Sequence, residues 1–289
     1  MKLSRLYSQA IKYGIKNDPR KIGKISGYED SAILFGDPDT EIKKVLVGID
    51  IEVGELLLAD NIRSKQGLDL VISHHPEGSA YASLYKVMRL QVDVLRQIGI
   101  PENVAQGLLE ERQREVERKI LPNNHSRAVD AARLLKLPFI CLHTPADNHV
   151  FSFITATMRK EKPRTVRDIV DILMTIEEYK QAARCEVGPR IIAGSPNRPA
   201  GNILVEMTGG TEGPRDIYDK LYKKGIRTLV SMHLSEEHFK KVKDANLNVI
   251  IAGHISSDTL GLNLVLDNIE KEERLEVLAC SGFRRVRRN

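Results

Sequence analysis

The stretch Leu68-Asp69-Leu70-Val71-Ile72-Ser73-His74-His75-Pro76 is a short apolar run that ends in two adjacent histidines. A run of this length, bounded by polar residues, is typical of a buried strand. Similar runs recur and alternate with longer segments of helical periodicity, and the clearest lie at residues 45–49, 139–142, 190–193, 202–205, 228–230, 247–252 and 275–279. This alternation predicts an α/β fold whose sheets are covered by helices.

The segment 68–75 resembles the segment 247–254, because each follows a charged helical stretch and ends in histidine. This faint repeat favours two similar α/β lobes over one irregular domain. We therefore expect an N-terminal helical extension at residues 1–40, which closes with a connector rich in glycine and aspartate, a first α/β lobe at 41–150 and a second at 151–289. The last predicted helix spans about residues 259–270, and the final predicted strand is free to return to the first sheet.

The composition is that of a globular protein: 289 residues, 42% hydrophobic and 29% charged. Only 3 cysteines are present and no two stand close together, which argues against a disulfide scaffold and a cysteine zinc site. Neither a signal peptide nor a membrane-sized apolar run is recognisable, so we expect a cytoplasmic protein with no membrane partner.

The net charge is +5, and part of the excess lies in the C-terminal tail at Arg284, Arg285, Arg287 and Arg288. A mild excess of this kind favours a solvated basic tail over a nucleic-acid partner.

The histidines are the main residues available for metal binding or acid–base chemistry. Five of the 8 follow four of the apolar runs: His74 and His75, His143, His233, and His254. Asp147 and Asp258 stand four residues after His143 and His254. The carboxyl ends of strands form the ligand crevice of open α/β sheets, so these side chains can converge there. Imidazole and carboxylate suit zinc, manganese, iron, cobalt or nickel, and the pattern predicts a metal site.

Three segments resemble the signature segments of the Nif-three-like family, named after NGG-interacting factor three, many of whose members are described as type 2 GTP cyclohydrolase I. They are Val71-Ile72-Ser73-His74-His75-Pro76, His143-Thr144-Pro145-Ala146-Asp147 and Gly253-His254-Ile255-Ser256-Ser257-Asp258. The resemblance covers about residues 43–280. It implies a dinuclear metal site in a cleft between two α/β lobes and a homohexamer built from dimers. It also implies the metal ligands, which are His74, His75, Asp147, His254 and Asp258, and it makes His143 a nearby catalytic group.

This chain departs from the family pattern in several places. Asp258 stands where the family usually has Glu, and a polar segment, 77–79, follows the adjacent histidines. The family's Thr-Gly-acid stretch is not recognisable near 231–234, which leaves the roles of His233 and His238 open. The basic stretch 85–119 is enlarged, and the large inserted domain of longer members is absent.

The sequence therefore predicts a metal-dependent hydrolase that uses two divalent transition-metal ions to activate water against a small nucleotide-like or phosphorylated substrate. His143 would transfer a proton, since the pKa of imidazole lies near neutrality. The alternative is a non-catalytic metal-binding or scaffold protein with the same ligands. Nucleic-acid binding would rest on the basic tail alone.

Three secondary features remain open. The loop 208–214 is rich in glycine, but it matches no phosphate-binding fingerprint, and a plain turn between strand and helix is favoured. The segment 123–125 fits a helix cap as well as a polar group near the site. Asp50 follows a predicted strand and would support a metal ligand through a hydrogen bond.

Overall fold

A computed structural model of the protein describes residues 1–20 and 25–288. The strands are β1 (Ser31–Phe35), β2 (Lys44–Gly48), β3 (Leu70–Ser73), β4 (Phe139–Leu142), β5 (Arg190–Ala193), β6 (Asn202–Glu206), β7 (Ile226–Ser231), β8 (Asn248–Ile251) and β9 (Glu276–Ala279). The helices are α1 (Leu3–Lys16), α2 (Val53–Gln66), α3 (Gly78–Ala82), α4 (Leu84–Val87), α5 (Leu90–Gln97), α6 (Glu102–Ile120), α7 (Arg127–Leu135), α8 (Thr144–Glu161), α9 (Val166–Leu173), α10 (Glu177–Arg184), α11 (Tyr218–Lys223), α12 (Glu236–Asp244) and α13 (His254–Glu270).

The first sheet has five strands in the order β1-β4-β3-β2-β9. Strands β9, β2, β3 and β4 are parallel, and β1 pairs antiparallel with β4. Successive side chains of β2 point to opposite faces, so Val45 and Val47 pack with α1 and α13 while Leu46 packs with α2 and α7. Both faces are therefore covered by helices, as parallel sheets require.

The second sheet has four strands in the order β5-β8-β7-β6, with β6, β7 and β8 parallel and β5 antiparallel to β8. One face packs on α8, α9 and α13. The other packs on α11 and α12, and also on α5 and α6, through residues such as Leu95 and Ala105. The enlarged basic stretch 85–119, which contains α5 and most of α6, thus follows a strand of the first sheet along the chain but covers the second sheet.

The two sheets repeat one strand order, in which β1, β4, β3 and β2 correspond to β5, β8, β7 and β6. The predicted fold class, two similar α/β lobes with helix-covered sheets, is confirmed. The predicted alignment within the repeat is wrong, because segment 68–75 contains β3 whereas segment 247–254 contains β8, the counterpart of β4. Buried strands share apolar composition whatever their place in a sheet, so a comparison of composition matched β3 with β8 instead of β4 with β8.

Residues 1–40 contain the expected helix, α1, followed by a strand where the sequence predicted a connector. Strand β1 pairs with β4 from Ser31 opposite Leu142 to Phe35 opposite Phe139, so the sheet's hydrogen bonds overcome its weak local signal. Helix α8 runs through residue 150, and strand β9 joins the first sheet. The division at residue 150 stays a prediction. Residues 21–24 of the predicted extension and residue 289 of the tail lie outside the described ranges.

No helix in the described ranges is both long and apolar enough to cross a membrane.

Candidate metal centre

The histidines and aspartates of the three signature segments meet between the two sheets. His74 and His75 follow β3, while His143 and Asp147 stand at the start of α8. Helix α13 begins at His254 rather than at the predicted residue 259, so His254 and Asp258 occupy one face of its first turns. Because α8 and α13 follow corresponding strands, the segments 143–147 and 254–258 are structural counterparts.

Close packing of α8 against α13 brings their two carboxylates to one imidazole. A Cβ on Gly261 of α13 would stand 2.5 Å from the backbone oxygen of Ala146 in α8, so only glycine allows this approach. His74 Nε2 lies 3.5 Å from Asp147 Oδ1 and 3.4 Å from Asp258 Oδ1. These two carboxylates come from the two halves of the repeat.

Asp258 faces a second pair of imidazoles with its other oxygen. Its Oδ2 lies 3.4 Å from His75 Nε2 and 3.5 Å from His254 Nε2. Ligand atoms about 2.1 Å from a tetrahedral ion stand roughly 3.4 Å apart, so these separations match the edges of a coordination shell. The two Asp258 oxygens are thus directed at two distinct groups of nitrogens.

Three buried polar atoms of the centre lack the hydrogen bonds that burial normally demands. His74 Nδ1 lies 3.2 Å from the carbonyl oxygen of Leu142, which orients the ring so that Nε2 faces the carboxylates. That Nε2 and both carboxylate oxygens of Asp258 are buried and have no hydrogen-bond partner in the described structure. Unpaired buried groups of this kind are costly, and coordination of a cation would satisfy all three. The residues therefore fit a metal ion.

Among the residues that the structure describes, two overlapping groups of side chains have ligand atoms within 4.8 Å of one another: His74, His143 and Asp147, and His74, His75 and Asp258. His143 therefore lies close enough to act as a ligand as well as a neighbour. His254 stands at the edge of the centre, with its side chain 42% exposed.

Asp50 contacts His75, in agreement with the expectation that Asp50 supports a ligand residue through a hydrogen bond instead of binding metal itself. Its Oδ1 lies 2.6 Å from His75 Nδ1. A carboxylate in this position fixes the ring orientation and directs Nε2 toward Asp258. Although burial opposes it, contact with Asp258 and Asp50 raises the pKa of His75 to about 10.

Asp30 supports His143 in the same way, although no pattern in the sequence points to it. Its Oδ2 lies 2.7 Å from His143 Nδ1 and accepts a hydrogen bond of 2.7 Å from Thr144 Oγ1. Asp30 is fully buried, and it precedes β1, which pairs with the strand that ends at His143. No local pattern marks Asp30, because its partner lies more than a hundred residues away.

Burial and the clustered charges set the protonation of the remaining groups. Burial lowers the pKa of His74 to about 4, which keeps its imidazole in the neutral form that ligates metals. Burial also raises the pKa of Asp147 to about 7. Burial alone would raise the pKa of Asp258, but His74, His75 and His254 hold it well below its usual range.

The other four histidines have different surroundings. His233 stacks edge-on with His254 at a centroid distance of 4.9 Å, next to the centre, and its Nδ1 lies 3.6 Å from Glu212. His238 is buried between Ser235 Oγ and the carbonyl of Gly213, a structural role. His149 is buried within α8, with Nδ1 2.7 Å from the Pro145 carbonyl. His125 is exposed.

The glycine-rich loop 208–214 borders the centre without a phosphate-binding geometry. Gln91 of α5 holds it by donating from Nε2 to the carbonyls of Gly209 and Thr211, at 2.9 and 2.7 Å. The helix after it, α11, spans only Tyr218–Lys223 and begins beyond a short 3-10 turn. The favoured interpretation, a turn between strand and helix, agrees with this.

The C-terminal tail is anchored rather than solvated, which corrects the expectation for its arginines. Arg285 pairs with Asp267 at 2.6 Å and Glu270 at 3.0 Å. Arg287 also pairs with Glu270, and Arg288 pairs with Glu178. Three of the tail's four arginines are therefore engaged within the protein.

Comparison with solved structures shows similarity to Nif-three-like proteins over nearly the whole chain. A NIF3 superfamily protein from Sphaerobacter thermophilus is 27% identical, with 95% of this chain and 97% of that chain covered and a TM-score of 0.78. Reduced HcgD from Methanocaldococcus jannaschii is 15% identical, with 96% and 97% covered and a TM-score of 0.56.

A Bacillus cereus protein related to NIF3 shares the fold at 10% identity, with 97% and 96% covered and a TM-score of 0.52. No protein-family model matches the chain, and no curated protein matches it significantly.

Proposed function

Because this chain belongs to the Nif-three-like family, we propose that it is a metal-dependent hydrolase with two divalent transition-metal ions between its lobes. The observation that carries the proposal is the setting of Asp258. Its two oxygens are buried, lack hydrogen bonds and face different imidazoles, His74 on one side and His75 with His254 on the other. Asp258 would therefore hold metal together with His74 through one oxygen and with His75 and His254 through the other.

The ligand set of the proposal has five members: His74, His75, Asp147, His254 and Asp258. Imidazole and carboxylate together suit zinc, manganese, iron, cobalt or nickel. When bound, such ions make water nucleophilic near neutral pH and polarise the bond that is hydrolysed. The short side chain of Asp258 is compatible with this role, because α13 begins at His254 and brings the carboxylate into the centre.

His143 is placed to move a proton beside these ligands. Asp30 holds Nδ1, so Nε2 is the free nitrogen, and it lies 3.9 Å from Asp147 Oδ2. Although burial opposes it, the carboxylates of Asp147 and Asp30 raise the pKa of His143. An oriented imidazole of raised pKa can hold a proton and release it to a leaving group.

The proposed substrate is a small nucleotide-like or phosphorylated molecule, and the proposed setting is a cytoplasmic homohexamer. The cavity beside the centre is bounded by both lobes, with His143 and Asp147 on one side and the loop 208–214 on the other. A cavity of this kind can enclose most of a small ligand while leaving an opening through which it enters.

Turnover assays on protein loaded with each candidate metal, against panels of nucleotides and phosphoesters, test the proposal. We expect hydrolysis that requires metal and is lost in His75→Ala but kept in Asp171→Asn, which changes an exposed residue of α9. Tight binding of two ions without turnover of any substrate would overturn the hydrolase and favour the alternative, a metal-binding scaffold protein.

A further inference from the structure

A cavity extends from the metal centre into the second lobe, where its lining changes. Near the centre it is bounded by Asp147, His254 and Asp258. Farther along, its walls are largely apolar and include Leu95, Phe151, Met207 and Ile217. A pocket with apolar walls and a few polar groups is the usual form of a small-molecule site.

Glu206 lines this part of the cavity together with Glu212, and no ion pair among the described residues balances the charge of Glu206. It ends β6, and its Oε2 accepts a hydrogen bond of 3.0 Å from Ser231 Oγ at the end of the neighbouring β7. Within residues 1–20 and 25–288, no lysine, arginine or histidine forms an ion pair with it; His233, whose charge acts on Glu206, pairs with Glu212 instead. The second oxygen, Oε1, receives no hydrogen bond from those residues either.

A carboxyl group in this position is unfavourable for the protein alone. Burial raises the pKa of Glu206 to about 7, with the hydrogen bond from Ser231 opposing the shift. The side chain is half-buried, and an ionised carboxylate with only one oxygen hydrogen-bonded is disfavoured there unless a further partner is supplied. Because Glu206 lines the cavity, a ligand can supply that partner.

We propose that Glu206 and Ser231 form a subsite for a flat head group that carries N–H donors, either an amidinium or an amino-substituted nitrogen heterocycle. The two oxygens of a carboxyl group match two adjacent N–H donors in one plane. The apolar walls suit the faces of such a ring, as they suit aromatic ligands generally.

The subsite adds a specificity determinant to the proposed hydrolase. Glu206 ends β6 in the second sheet, whereas the metal ligands His74 and His75 follow β3 in the first, so the two regions would hold different parts of one ligand. The head group would then be the part that does not react, and its binding would orient the rest toward the metal ligands. The inference rests on the proposed function only for this orientation, since the head group can bind without metal.

Binding of small probes to metal-free protein therefore tests the subsite separately from hydrolysis. Benzamidine represents the cation and 2-aminopyrimidine the neutral heterocycle, while acetophenone has a similar flat ring but no N–H donor. We expect at least one of the two donors to bind about tenfold more tightly than acetophenone, by ligand-observed NMR or calorimetry. Equal or weaker binding of both donors would overturn the inference whether or not the protein proves to be a hydrolase.

Glu206→Gln keeps the size of the side chain and removes the carboxylate. We expect it to weaken the preferred donor about tenfold and to leave acetophenone unchanged. Asp219→Asn, an exposed change on α11, should alter neither affinity. Unchanged donor binding in a folded Glu206→Gln protein would contradict the subsite, and the comparison of probes in the wild-type protein holds even if that variant does not fold.

Discussion

Two aspartates outside the ligand set hold the orientation of the central imidazoles. Asp50 contacts His75 Nδ1 and Asp30 contacts His143 Nδ1, so in each ring Nε2 is left to face the centre. A carboxylate behind a ligating imidazole fixes its tautomer and raises its basicity. The two pairs therefore prepare the centre before any ligand arrives.

Replacement of Asp50 tests the first pair. Asp50→Asn keeps the size of the side chain but removes the charge behind His75, so we expect metal affinity to fall about tenfold or more. Metal titration monitored by calorimetry measures this. Asp171→Asn, an exposed change on α9, is the matched control, and equal affinities in the two variants would refute the supporting role of Asp50.

Replacement of Asp30 tests the second pair through catalysis rather than through binding. Asp30→Asn removes the carboxylate that keeps the proton of the neutral His143 ring on Nδ1, so the other tautomer becomes accessible. We therefore expect kcat to fall by about 10²-fold or more with little change in KM. Metal content should stay at the wild-type level. A variant that loses metal but keeps the wild-type kcat when metal is replenished would show that Asp30 serves the ligands and not proton transfer.

At the residue scale the sequence predicts the site where the signal is local. The adjacent pair His74-His75 and the spacing from His254 to Asp258 are visible along the chain. Asp50 was found because it directly follows a predicted strand. Asp30 was not, since only the pairing of β1 with β4 brings it to His143.

Among the elements, the contact between α8 and α13 decides whether the two carboxylates meet. Gly261 stands at this contact, where an added methyl group would strike the α8 backbone. We expect Gly261→Ala to lower the free energy of unfolding by about 1–3 kcal/mol through overpacking. Urea unfolding followed by circular dichroism measures it.

Gly107→Ala is the control for this substitution. Gly107 lies inside α6 with no atom near the added methyl group, so we expect a gain of about 0.5–1 kcal/mol from helix propensity alone. A similar gain in Gly261→Ala would mean that α8 and α13 are not closely packed.

Element boundaries show where local signals mislead. The sequence placed the start of α13 five residues late, because His254-Ile255-Ser256-Ser257-Asp258-Thr259 contains serine and β-branched residues that favour helices weakly. In the structure Gly253 precedes the helix, and Ser257 Oγ donates back to the Gly253 carbonyl at 2.6 Å. Strand β4 was placed correctly at Phe139–Leu142, since all four of its residues are buried and apolar.

Across the whole molecule, the tail fastens the C-terminus to α13 and α10. The side chain of Arg285 is 7% exposed, and it faces Asp267 and Glu270, which are as deeply buried. Arg285→Met would remove the buried cation that both carboxylates share and would leave Arg287 on Glu270, so we expect a loss of about 3 kcal/mol of unfolding free energy, the low end for a broken buried pair.

Thermal and urea unfolding measure this loss, with Arg274→Met, an exposed change, as the control. Equal stability of the two variants would mean that the tail is not anchored. The same variants measured for nucleic-acid binding should show no difference, because the arginines are engaged within the protein.

The two-lobe architecture was predictable from the alternation of strands and helices, and the repeat was visible in outline. The correct pairing of strands between the two copies was not predictable, because it depends on the order of the strands within each sheet. Once β4 and β8 are matched, His143 and Asp147 become the counterparts of His254 and Asp258. The centre therefore lies where the two copies of one motif face each other.

Elemental analysis of the gently purified protein tests the metal centre most directly. We expect about two equivalents of a divalent transition metal per chain in the wild-type protein. In Asp258→Ala, which removes the shared carboxylate, at most about one equivalent should remain, while Asp171→Asn should keep the wild-type content. The proposed metal centre would be contradicted if the wild-type protein held no metal even after addition of zinc, manganese, iron, cobalt or nickel.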